Sequence, residues 1–132
     1  MLRGGCFCGR VRYEARGEPF HPTLCHCADC RRASGAPAVA WFSVAAADLR
    51  FTAGQPRTFA SSAGNTRTFC GDCGTPLVFR GGGAPDEVDV TTCSLDHPEL
   101  VPPADHTWDA TRLPWLRLAD ALPRHRQTRG KG

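Results

Sequence analysis

Seven of the eight cysteines in this 132-residue chain fall into three tight clusters, and no other sequence feature constrains the fold as strongly. Cys6 and Cys8 form C-x-C. Cys25, Cys27 and Cys30 form C-H-C-x-x-C, and Cys70 and Cys73 form C-G-D-C-G. Cys93 stands alone inside a strand-like run. The opening MLRGGCFCGRVRY holds no apolar segment of the kind an export signal needs. No apolar run approaches the ~20 residues that cross a bilayer. The expected compartment is therefore the reducing cytoplasm, where clustered cysteines serve metal or redox chemistry and not a disulfide framework.

Zinc takes four thiolate or imidazole ligands in a tetrahedron. C-x-x-C followed by Gly is a turn suited to it, because Gly relieves the backbone beside the second ligand. Cys70, Cys73 and Gly74 fit that turn but supply only two ligands. Cys6 and Cys8 are also two short. Their union closes one four-thiolate site and staples the N-terminal region to the middle of the chain. The middle cluster supplies three thiolates within six residues. Three protein ligands and one open position is how a catalytic zinc is built. The seven cysteines thus predict two zinc ions per chain, one closed and structural, the other open and labile. His26 or Cys93 completing the second site, or an iron–sulfur cluster, are the alternatives on residues alone. Thioredoxin-like use of C-G-D-C would need a βαβ context that the sequence lacks.

Around these clusters the chain reads as strands and turns. Fourteen Gly and eleven Pro argue against long helices. Strand candidates are residues 10–15, 38–44, 49–52, 57–61, 66–69, 77–80 and 87–92. The turn sequences AGQP, SAGN, GDCG and GGGAPD punctuate them. The one early helix candidate, residues 28–33, is too short to stand alone and needs a metal to pin it. The expected class is mainly β and antiparallel, with short helical turns. Residues after Pro98, with Trp108 and Trp115, read as a segment wrapped over the sheet.

The net charge of +3 is concentrated at the C-terminal end. Arg124, Arg126, Arg129 and Lys131 supply four positive charges, and the body without them carries −1. Residues 1–123 are expected to form a single zinc domain, and 124–132 a basic, disordered tail. A near-neutral body without a basic stripe argues against nucleic acid as the partner.

The order of motifs resembles one family. GGCFCGRVRY, CHCADCRRASGAP, SSAGNTRTFCGDCGTPL, SLDHP, HTW, PWL and DALP, spread over residues 4–123, are similar to the glutathione-dependent formaldehyde-activating enzymes, whose eukaryotic branch is typified by centromere protein V. The resemblance implies a zinc fold of the β-tent (Mss4-like) kind. It also implies structural zinc on Cys6, Cys8, Cys70 and Cys73, and a second zinc with an exchangeable position on Cys25, Cys27 and Cys30. The implied activity is that of a carbon–sulfur lyase, which makes and breaks S-hydroxymethylglutathione from formaldehyde and glutathione. The alternative is a non-catalytic zinc module that binds glutathione, another thiol or a macromolecule.

A thiolate-rich open site needs cations nearby. Arg31 and Arg32, directly after the last ligand, are the expected contacts to the carboxylates of glutathione, and Arg67 is a weaker candidate. His21, His26, His97 and His106 are candidate acid–base groups, none singled out by its neighbours. Trp41 and Phe42 read as core, and Ser61 and Ser62 as turn or strand-end residues.

Overall fold

The computed structural model of the chain describes residues 1–129. It is mainly β, with two sheets and little helix. The smaller sheet orders its strands β1 (Leu2–Gly5), β2 (Arg12–Ala15) and β5 (Leu49–Ala53) as β1-β2-β5. The larger sheet holds β3 (Phe20–Cys25), β4 (Val39–Ala45), β6 (Arg57–Ser62), β7 (Asn65–Phe69), β8 (Pro76–Arg80), β9 (Glu87–Thr91) and β10 (Asp105–Thr107). Their order is β10-β3-β4-β9-β8-β7-β6. Every pairing is antiparallel except β10 with β3, which is parallel.

The core sits between the sheets, because strand side chains alternate between faces. Tyr13 and Ala15 point inward from β2, Phe42 and Val44 from β4, and Val88 and Val90 from β9. The Tyr13 hydroxyl is within 2.7 Å of Ser94 Oγ, which satisfies the polar end of a side chain that is otherwise buried. Gly4 makes this approach possible. A Cβ there would lie 2.4 Å from the Ser94 carbonyl oxygen and 2.5 Å from the Tyr13 hydroxyl.

The expected strands are present within a residue or two of their predicted bounds, and the expected helix is α1 (Ala28–Ser34). β1, β3 and β10 were not expected. The wrapping segment does more than cover the sheet, since β10 joins it as an edge strand. The basic tail also differs from its expectation. Arg124 pairs with Asp109 at 2.9 Å, the His125 amide donates to the His106 carbonyl, and Arg129 grips Asp105 with contacts of 2.7 and 3.1 Å. Residues 124–129 are docked because these carboxylates and a sheet-edge backbone offer partners that a free tail lacks. Lys131, counted with the tail, lies outside the described residues.

Candidate functional site

Two groups of thiols converge. In the first, Cys6, Cys8, Cys70 and Cys73 place their Sγ atoms within 4.8 Å of one another. The spacing is 3.5 Å between Cys6 and Cys8 and 3.8 Å between Cys8 and Cys70. A disulfide needs about 2.05 Å. Four sulfurs at ~2.3 Å from one ion would stand about 3.8 Å apart along each tetrahedral edge. The donor set and its spacing fit a metal ion, and all eight thiols are free. Each half of the group sits on a tight turn. The Gly9 amide donates to the Cys6 carbonyl, and the Gly74 amide to the Cys70 carbonyl at 2.8 Å. Gly74 has φ of 84°, a conformation that suits glycine and lets the chain fold back behind Cys73.

In the second group, Cys25, Cys27 and Cys30 also bring their Sγ atoms within 4.8 Å. Cys25 ends β3, and Cys27 and Cys30 bracket the first turn of α1. Cys27 is the N-cap: its Sγ accepts from the Cys30 amide at 3.2 Å. The helix is closed at its other end by Gly35 with φ of 71°. A helix of this length gains little from propensity, and these thiol contacts hold its first turn against the sheet.

The thiols of this group share protons unequally. Hydrogen bonding from Cys25 and then Cys30 lowers the Cys27 pKa, aided by the Cys30 amide and the nearby Arg67 charge. The same contact with Cys27 raises Cys25, so one thiolate forms ahead of its neighbours. A bound divalent ion would draw all three into the thiolate form.

The three thiols open onto a cavity of about 620 Å³, which touches none of the four-thiol group. Trp41 and Phe79 line it edge to face, with centroids 6.3 Å apart. Arg67 lies over the Phe79 ring at 5.0 Å and brings Nη2 to 3.8 Å from Cys30 Sγ. Thr128 and Arg129 of the docked C-terminal segment complete the wall.

Arg31 and Arg32 do not line this cavity. Arg31 turns back and donates to the carbonyls of His26 and Thr111, tying α1 to the segment after β10. Arg32 faces a second cavity of about 530 Å³, which shares Asp29, Trp41 and Arg67 with the first. The helix turns them away: the positions directly after Cys30 rotate off the face that carries the thiol. The cation at the site comes instead from β7, far away in sequence.

The histidines also separate. His26 lies between two thiols in sequence but is wholly buried, with its ring turned away from them. Its Nε2 is 2.8 Å from His106 Nδ1, and His106 Nε2 is 3.1 Å from the Asp120 carboxylate. Asp120 accepts from His106 Nε2–H, and in the neutral form of His106 that places its free Nδ1 lone pair toward His26 Nε2–H. That leaves His26 Nδ1 buried without a partner among the described residues. Burial, and then the neighbouring His106, lower the His26 pKa. His97 is exposed beside Glu99, and His21 lines the cavity. Cys93 is exposed and belongs to neither thiol group. Sequence reasoning missed the His26–His106–Asp120 chain, because its members come from three separate segments.

The family model described as "Glutathione-dependent formaldehyde-activating enzyme" matches residues 1–111. The chain belongs to this family. The match spans both thiol groups and Arg67, and it stops short of the docked C-terminal segment. Comparison with curated proteins gives no match. Among solved structures, a crystal structure of a Rhodobacter sphaeroides protein is similar, with a TM-score of 0.58 and 22% sequence identity. The alignment covers 92% of this chain and 98% of that one. At that identity the similarity speaks for the fold. Among the described residues, no helix is long and apolar enough to cross a membrane.

Proposed function

We propose that this chain is a zinc-dependent carbon–sulfur lyase acting on glutathione–aldehyde adducts, with formaldehyde and S-hydroxymethylglutathione as the reference pair. One observation carries the reading: the cavity reaches all three thiols of one cluster and none of the other. It is supported by membership of the glutathione-dependent formaldehyde-activating family. In this reading Cys6, Cys8, Cys70 and Cys73 hold a structural zinc, and Cys25, Cys27 and Cys30 hold a second one beside the cavity. The domain is single, of the β-tent (Mss4-like) kind, and works in the cytoplasm.

Zinc on three thiolates supplies an exchangeable position that favours the thiolate form of an added thiol. The reaction is redox-neutral. The sulfur lone pair forms the S–C bond, the carbonyl π pair moves to oxygen, and that oxygen takes a proton. The reverse path breaks the same S–C bond. Three thiolates and a divalent ion carry a net −1, and an added thiolate makes −2. Arg67 offsets one of those charges from 3.8 Å, where the partly enclosed setting strengthens its effect. Trp41 and Phe79 exclude water beside the thiols, and Phe79 also fixes the guanidinium by cation–π contact.

The test is to titrate glutathione, with and without formaldehyde, into zinc-loaded protein and follow adduct formation by NMR. The expected result is adduct exchange faster than the uncatalysed reaction and dependent on Cys27. Thiol binding with no acceleration would reassign the chain as a thiol-binding module, and absence of thiol binding would remove the reading altogether.

A further inference from the structure

One row of paired residues crosses the floor of the cavity. Ser43 on β4 pairs with Asp89 on β9, Asp89 with Phe79 on β8, and Phe79 with Arg67 on β7. Residues in register project from the same face, so all four side chains stand on the cavity side. Arg67 ends the row beside the thiols, and Asp89 lies two strand spacings away, about 10 Å.

Asp89 is a half-buried carboxylate with an incomplete set of partners. Ser43 Oγ donates to it at 2.6 Å. Among the described residues no Lys, Arg or His comes within ion-pair distance of it. Asp105 on β10 differs, since Arg129 and His125 already occupy that carboxylate. Burial raises the Asp89 pKa, and only the Ser43 bond and more distant cations oppose it. A half-buried carboxylate with a single hydroxyl partner gains from a cation that joins it. The cavity leaves room for that cation to arrive with a ligand.

We propose that Asp89, held by Ser43, is the anchor for the protonated α-amino group of the thiol substrate, at the end of the row opposite Arg67 and the thiols. The pair sets the substrate class: an elongated zwitterionic thiol whose sulfur lies near one end and whose ammonium lies on the order of 10 Å away. The γ-glutamyl arm of glutathione has this reach, whereas a simple alkyl or aryl thiol has neither charge. This inference rests on the reading of the site as a thiol-conjugate site, and it adds which thiols the site selects.

The experiment measures calorimetric binding of glutathione and of N-acetylglutathione to the zinc-loaded protein. Acetylation removes the positive charge and leaves the thiol unchanged. The wild-type protein is expected to bind glutathione at least ~10-fold more tightly, the scale of one charge-assisted contact. In Asp89→Asn that preference falls to within ~2-fold through weaker glutathione binding, while affinity for the acetylated thiol stays the same. Equal binding of both thiols by the wild-type protein overturns the anchor and leaves the thiol-conjugate reading standing. A preference that survives Asp89→Asn, with the variant's melting transition intact, also overturns the anchor. Binding of neither thiol overturns both the reading and the anchor. The comparison of the two ligands on the wild-type protein needs no variant to fold.

Discussion

Replacing Cys8 by Ser removes the most exposed member of the four-thiol staple while Cys6 still links the N-terminal turn to Cys70 and Cys73, so chain topology gives an upper bound on the cost. Cys8 and Cys70 are separated by 62 residues and their Sγ atoms by 3.8 Å. A cross-link closing a loop of that length removes about 4 kcal/mol of conformational entropy from the unfolded chain. A domain of this size has roughly 7–20 kcal/mol of stability in all. Cys8 is exposed, so its replacement leaves no cavity and strands no polar atom. The loss therefore reads the link itself. With a urea slope of about 1.5 kcal/mol per molar, the midpoint of zinc-loaded Cys8→Ser should fall measurably, by at most roughly 2–3 M, the value for complete opening of the link. Cys93→Ser removes an equally exposed thiol from outside both groups and should leave the midpoint unchanged. Strong chelation, which opens the link completely, should lower the wild-type midpoint at least as far as Cys8→Ser does. If Cys8→Ser and chelated wild type both unfold at the same urea concentration as untreated wild type, the four thiols are not a staple.

Other consequences can be checked with single variants. Cys27→Ser should give a folded protein whose metal content drops from two ions per chain to one, measured by atomic absorption; unfolding would show that the three-thiol group is structural. Arg67→Met keeps the cover on Phe79 but removes the charge beside Cys30, and should slow adduct exchange at least ~10-fold with little change in melting temperature. Asp89 has a folded-state pKa raised by burial, so the native state binds its proton more tightly than the unfolded chain does. Stability from this group is full below the ordinary Asp value of 3.8 and is lost as pH rises through the raised value. Asp89→Asn should thus be at least as stable as wild type at pH 7, and urea titrations should show that advantage fading below about pH 4.

The parts of the fold legible in sequence were those with local causes. Polar–apolar alternation exposed β2, an apolar run exposed β4, and Gly-containing turns bounded β6 and β7. β1 reads LRGG, where two glycines hide a strand whose purpose is to let Tyr13 come close. β3 carries Pro22, which argues against a central strand, yet a register irregularity between Phe20 and Thr23 absorbs it. β10 is Asp-His-Thr, three polar residues buried by pairing with Arg129, His26 and Thr23. No pattern of hydrophobicity marks such a strand. The thiol groups were legible because ligand spacing is a local property. The cation serving the second group was not, since its approach depends on the β7–β8 register and on the twist that carries α1 over it. Arg31 and Arg32 were near in sequence, and helix rotation took both elsewhere.

The docked C-terminal segment bears on how the protein is made. A chain leaves the ribosome from its N-terminus. The four-thiol group can assemble once Cys73 has emerged, early enough to hold β1, β7 and β8 together while β9 is still being made. The cavity must wait, because Thr128 and Arg129 form part of its wall. Assembly of the four-thiol group can therefore precede completion of the cavity wall. A chain clipped before Thr128 would carry the four thiols but lack part of the cavity wall.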